Sequence, residues 1–171
     1  MPASAARLFV ALMPSAAVRS ELAAWRDAWT WPRSARLVDT ARLHVTLHFL
    51  GDVERDRLGQ LEAALTVPFA PFTLRLNGPA LWPQGIAALE PGVVPPALLA
   101  LHADLARALR ALAMPVDERP YRPHVTLARR AKGAGPPQAG RTLVWQVDSY
   151  ALMASVLGPE GGYTVLRQYP A

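Results

Sequence analysis

The chain has 171 residues, 51% of them hydrophobic, which suits one domain with a real core and excludes an intrinsically disordered segment. It contains no cysteine, which excludes disulfides, thiolate catalysis and cysteine-ligated zinc and points to the cytoplasm. The net charge of +5 is carried almost wholly by arginine, with Lys132 the only lysine; this permits an anionic partner such as nucleic acid without demanding one, because a GC-biased genome yields the same composition.

The opening residues imitate a short signal peptide, with one Arg and an apolar stretch. The stretch is too brief, and Pro14 with Ser15 reads as a helix start instead. Arg7–Met13 is therefore expected as a strand. Pro14–Trp29 has helical spacing, with Val18, Leu22, Trp25 and Trp29 on one stripe. Pro32–Arg42 reads as a polar loop into a strand that Gly51 and Asp52 close. A second helix is expected over Glu54–Leu65, then strands over Phe72–Leu76 and Ile86–Leu89 with a turn-rich link at Gly78–Pro83. Pro95 and Pro96 open a long helix through Leu112, with Leu98, Leu101, Leu105 and Leu109 inward. A further strand follows the loop around Asp117–Pro120. Lys132–Gly140 is Gly- and Pro-rich and reads as mobile. Thr142–Ala154 and Tyr163–Tyr169 read as two final strands around a turn at Gly158–Gly162. No run approaches the ~20 apolar residues that span a bilayer, so no membrane partner is expected.

The tetrapeptide His-Val-Thr-Leu occurs twice, at His44–Leu47 and at His124–Leu127, in each case within a predicted strand. Side chains alternate faces along a strand, so each copy puts Val and Leu toward a core and His and Thr on the opposite face. Packing constrains only the Val/Leu face; it does not explain two matched His/Thr pairs. The copies lie 124 − 44 = 80 residues apart, close to half the chain. The expected architecture is thus α+β and bilobal. One domain over residues 1–171 holds two pseudo-duplicated lobes, each an antiparallel sheet flanked by helices. The His/Thr faces line the cleft between them.

Imidazole titrates near ~6.5, so one ring can take a proton from an attacking water while the other protonates a departing oxygen. Threonine hydroxyls can donate to the non-bridging oxygens of a phosphodiester. By strict alternation His48 shares the face of His44 and Thr46. In a strand, however, the two histidines stand roughly 13 Å apart and cannot share one metal ion. His102 reads as a surface residue of the long helix. Alternation also puts Arg130, rather than Arg129, on the face of His124, where a guanidinium could clamp a phosphate. Phe9, Tyr121 and Trp145 are candidates to stack on a base, and each suits the core equally well.

With these motifs the chain resembles the 2H phosphoesterase superfamily, named for two H-x-T-x motifs. Within it, the chain resembles the RNA 2′,3′-cyclic phosphodiesterases once described as 2′-5′ RNA ligases. The matching stretches are RLFVAL at Arg7–Leu12, LHVTLHFLG at Leu43–Gly51, PFTLRL at Pro71–Leu76, RPYRPHVTLAR at Arg119–Arg129 and VDSYALMAS at Val147–Ser155. The resemblance implies a bilobal fold and metal- and cofactor-independent hydrolysis of a terminal 2′,3′-cyclic phosphate to a 2′-phosphomonoester. The partner would be RNA with such an end, or a cyclic nucleotide, bound by a monomer. It makes His44 the proton donor, His124 the proton acceptor, and Thr46 and Thr126 phosphate ligands. It also implies Arg129 for the phosphate. That conflicts with the alternation favouring Arg130 and hints at a strand irregularity after Leu127. The chain departs from the family in having Arg42 before Leu43, where Asn is usual; Arg42 either adds phosphate affinity or is simply solvated. The alternatives are an RNA-binding module, or a related enzyme acting on another cyclic phosphate or a 2′-5′ linkage.

Overall fold

The computed structural model describes residues 5–138, 141–156 and 161–170. In chain order it has β1 (Ala5–Leu12), α1 (Ala16–Asp27), β2 (Arg36–Leu37), β3 (Val45–Glu54), α2 (Leu58–Ala64), β4 (Phe72–Leu81) and β5 (Ala87–Pro91). Then come α3 (Pro96–Ala111), β6 (Val125–Arg129), β7 (Leu143–Val147), β8 (Ser149–Ser155) and β9 (Tyr163–Pro170). Short 3-10 turns at Thr40–Arg42 and Arg55–Arg57 lead into β3 and α2.

Local chemistry explains the helices. Ser15 caps α1 by accepting from the Val18 amide at 3.3 Å, and Val18, Leu22 and Trp25 form its buried stripe. Pro96 starts α3, where a missing N–H costs nothing, and Leu98, Leu101, Leu105 and Leu109 are buried along it.

The strands join into one antiparallel sheet in the order β7-β4-β5-β6-β3-β1-β8-β9, with β2 beside β6. It consists of two four-stranded halves, β3-β1-β8-β9 and β6-β5-β4-β7. They meet in the register pair Val45–Val125. One face carries the helices and the main core, which includes Val10, Leu12, Val45, Leu47, Val125 and Leu127. The opposite face carries His44, Thr46, His124 and Thr126 around a cleft, plus a small apolar cluster of Phe9, Ala11, Ala151 and Met153.

The expected α+β class and paired antiparallel lobes hold, but neither lobe is a contiguous half of the sequence. α1 packs against β7 of the second half, while α3, preceding β6, packs against β3 of the first and α2 packs against α3. The segment Thr142–Ala154 is two strands rather than one. It breaks at Asp148, and β7 pairs with β4 while β8 pairs with β1 and β9. The link at Gly78–Pro83 is mostly strand, since β4 runs on to Leu81 opposite Ala87. The loop over 32–42 gains β2, and α2 begins at Leu58 rather than Glu54.

The Gly/Pro-rich segment is anchored at Gly135, which exchanges two backbone hydrogen bonds with Thr30 at 2.8 and 2.9 Å. Ala139 and Gly140, and residues 158–160 of the expected final turn, lie outside the described residues.

Leu105 and Leu99 share α3, but the first is fully buried and the second is 46% exposed. Leu105→Ala is expected to cost roughly 2–5 kcal/mol and Leu99→Ala under ~0.5 kcal/mol. Both are read from urea midpoints with the slope unchanged.

Candidate active site

Each His-Val-Thr-Leu copy ends in a β-bulge at its leucine. In the first, Ala11 pairs with Thr46 and Val10 with His48, leaving Leu47 as the extra residue. In the second, Ala88 pairs with Thr126 and Ala87 with Ala128, leaving Leu127 as the extra residue. An extra residue shifts the alternation by one, so everything beyond it changes face.

Three positions therefore depart from strict alternation. His48 turns toward the helices and is only 5% exposed, away from the face of His44 and Thr46. Ala128 is buried beside Leu127. Arg129 enters the cleft and lines one cavity with His44, Thr46, His124 and Thr126. Arg130 does not line that cavity. It leaves the strand at φ 53°, with its carbonyl accepting from the Ser34 hydroxyl at 2.9 Å. The expectation that Arg130 faces His124 fails because the bulge reverses the parity on which it rested.

The two histidines are held alike. The Nδ1–H of His44 donates to the Arg42 carbonyl at 2.6 Å, and that of His124 to the Arg122 carbonyl at 2.8 Å. A carbonyl only accepts, so each neutral ring carries its proton on Nδ1 and leaves Nε2 as the basic atom. For His44 that atom is 2.9 Å from Thr46 Oγ1, whose hydroxyl donates to it. Phe9 and Tyr163 brace the His44 ring at centroid distances of 5.2 and 5.3 Å, and Trp82 braces His124 edge-on at 4.4 Å.

The shared cavity is about 520 Å³ and includes Arg36, Arg42 and Asp39 besides the residues above. Its excess of guanidinium suits an anion. Burial holds the His44 pKa below the ordinary imidazole value. The Arg42 carbonyl opposes that shift, and the charges of His124 and Arg129 add to it. Burial likewise lowers His124, against the pull of the Arg122 carbonyl and Glu90. Both rings therefore rest neutral near pH 7, and an anion bound between them would favour protonating one.

His102 is half-buried rather than a surface residue. It stacks between His48 at 4.1 Å and Tyr121 at 3.9 Å, and its carbonyl accepts from His48 Nε2 at 2.9 Å. Tyr121 donates to the Thr46 carbonyl at 2.8 Å, so this stack buttresses the first motif from behind. Trp145 is buried in the main core and Phe9 in the cluster under His44. Sequence reasoning missed Arg36, Tyr163 and Trp82, which reach the cleft from distant segments and carry no local motif. Among the described residues no three His, Asp or Glu side chains gather as a metal site would need, and no helix is long and apolar enough to cross a membrane.

Comparison with known proteins gives consistent matches. The sequence model of the 2′-5′ RNA ligase superfamily matches residues 14–156. The RNA 2′,3′-cyclic phosphodiesterase of Thermus thermophilus is 32% identical, over 95% of this chain and 89% of its own. The enzyme of the same name from Geobacillus stearothermophilus is 31% identical over 74% of this chain, which spans 45% of that protein's length. The crystal structure of Escherichia coli LigT complexed with 3′-AMP superposes with a TM-score of 0.88 and 29% identity, covering 97% of this chain and 98% of that one.

All four histidines are held below the ordinary imidazole pKa by burial, His102 down to about 4. The unfolded chain, with imidazoles near ~6.5, then binds more protons than the folded one across the acid range. Stability is expected to be full above about pH 6.5 and to fall as pH drops toward 4. Thermal melts across this range, repeated on His102→Phe, should show a shallower acid loss in the variant.

Proposed function

The chain belongs to the 2′-5′ RNA ligase superfamily, and on that premise we propose that it hydrolyses the 2′,3′-cyclic phosphate at an RNA end, or on a cyclic nucleotide, to a 2′-phosphomonoester. The observation that carries this reading is the matched pair of imidazoles. Both line one arginine-rich cavity, and both have Nδ1 tied to a carbonyl so that Nε2 is the working atom. Binding alone needs no such matched pair.

In this mechanism the cyclic phosphate lies between His44 and His124. Thr46, Thr126 and Arg129 donate to its non-bridging oxygens and hold charge that grows as the phosphorus gains a fifth oxygen. His124 Nε2 takes a proton from water as the water oxygen bonds to phosphorus. The bond from phosphorus to the 3′ oxygen breaks, and His44, protonated on Nε2, gives that oxygen its proton. A 2′-phosphate and a free 3′-hydroxyl remain. Transfer of the proton from His124 to His44 through solvent restores the starting state. The hydrogen bond between Thr46 and His44 Nε2 keeps the acid beside the group it serves. No step calls for a metal, and the enzyme would act in the cytoplasm as a monomer.

Four measurements test this. His44→Ala and His124→Ala are each expected to lower kcat/KM on a 2′,3′-cyclic nucleotide by ~100- to 10,000-fold with circular dichroism unchanged. The double variant should be little worse than either, because the pair acts as a unit. Turnover should persist in EDTA, and the product should be the 2′ isomer; a strict metal requirement or a 3′-phosphate contradicts the assigned roles. Binding of RNA that weakens with salt, with no turnover, would mark the chain as a binding module.

The pH profile has a determined sign. The alkaline limb of kcat/KM reports the acid in the free enzyme, whose pKa is lowered, so it should fall below the ordinary imidazole value of about 6.5. In kcat, where the bound anion favours the protonated ring, the same limb should move to higher pH.

A further inference from the structure

The two motifs share their surroundings as well as their sequence. His44 lies edge-on to Tyr163 at 5.3 Å, and the Arg42 guanidinium sits over that ring at 5.8 Å. His124 lies against Trp82 at 4.4 Å, and the Arg122 guanidinium sits over that ring at 4.6 Å. Each arginine stands two residues before its histidine and supplies the carbonyl that fixes it. The site is thus doubled in a pseudo-symmetric way, and a second cavity of about 430 Å³ adjoins the first through Thr46 and His124.

The symmetry breaks at the fifth residue after each histidine. The bulges turn that residue from the core to the opposite face: Arg129 in the second motif, Phe49 in the first. Arg129 lines the first cavity and Phe49 the second, where Phe49 is 62% exposed. In the first cavity Arg36, Arg42 and Arg129 form no ion pair among the described residues. In the second, Arg122 is paired with Glu90 and Arg119 with Asp117. One cavity offers uncompensated positive charge and the other neutralised charge with exposed aromatic surface. Trp82 Nε1 is buried without a hydrogen-bond partner, so Trp82 is not placed there by its own bonding.

We propose that the second cavity is a nucleobase subsite, in which a base of the RNA strand stacks on Phe49 beside Trp82 while the phosphate lies between the histidines. This rests on the phosphodiesterase reading of the same cleft. A phosphate needs the charged cavity, and a base needs flat apolar walls within reach of it. The base belongs either to the nucleotide bearing the cyclic phosphate or to its neighbour.

The test compares wild-type protein with Phe49→Ala and Phe49→Tyr on three substrates. These are a 2′,3′-cyclic mononucleotide, a dinucleotide ending in the cyclic phosphate, and a methyl riboside 2′,3′-cyclic phosphate that lacks a base. Phe49→Ala is expected to raise KM roughly ten-fold for a base-bearing substrate, as removal of a stacking aromatic does, with kcat nearly held and the base-free substrate unaffected. Phe49→Tyr should restore KM. A shift already present with the mononucleotide assigns the terminal base; a shift with the dinucleotide alone assigns its neighbour. Equal losses on the base-free substrate, or no shift on any, overturn the subsite. Calorimetric binding of a 2′-phosphorylated dinucleotide separates the two readings. A wild-type protein that turns over nothing, yet loses roughly ten-fold in this affinity on Phe49→Ala, keeps the subsite and loses the catalytic reading. Equal affinity in the two proteins sinks the subsite.

Discussion

The geometry of the cleft depends on one extra residue in each of two strands. Without the bulges at Leu47 and Leu127, alternation would leave His48 in the cleft, bury Phe49 and exchange Arg129 for Arg130. With them, His48 is free to stack on His102 and stiffen the back of the first motif, while the fifth residue after each catalytic candidate turns to the anion. A bulge costs a ladder hydrogen bond and gives local twist. Here it also re-aims side chains that the motif itself does not contain.

The second ordering device is the backbone carbonyl behind each imidazole. Arg42 and Arg122 are the residues whose peptide oxygens fix the tautomers, and their guanidinium groups lie over the aromatic rings that brace the same histidines. Orientation of the ring, choice of its basic nitrogen and burial that keeps it neutral thus come from one short segment before each strand. Where Asn is usual in the family, Arg42 lies against Gly161 and Tyr163. A Cβ at Gly161, which has φ 55°, would meet that guanidinium. The departure is accommodated, and it adds a cation to the wall of the cavity.

Much of this was legible in the sequence. The repeated tetrapeptide marked both strands, both histidines and both threonines, and the leucine stripes of α1 and α3 were plain because helical periodicity is local. What could not be read was set by neighbours. Whether Leu47 counts as one step of alternation or an extra one depends on where β1 stands, and the fate of Arg130 depends on β5 in the same way. Trp82 and Tyr163 have no spacing to announce them, since each meets its histidine only after distant strands pair. The division into lobes also misled: equal spacing of the motifs suggested two consecutive halves, whereas the helices pack crosswise and the segment after β6 supplies strands to both.

That last feature has a consequence for how the molecule is made. β1 and β3 emerge first from the ribosome, yet the outer strands of their half-sheet, β8 and β9, are residues 149–170. The helix over β3, α3, is itself not synthesised until residue 111. The nascent chain must carry a long unpaired strand edge until translation is almost finished, and such edges invite pairing between chains. Biogenesis is post-translational in effect, and its vulnerable interval lasts nearly as long as the message takes to read.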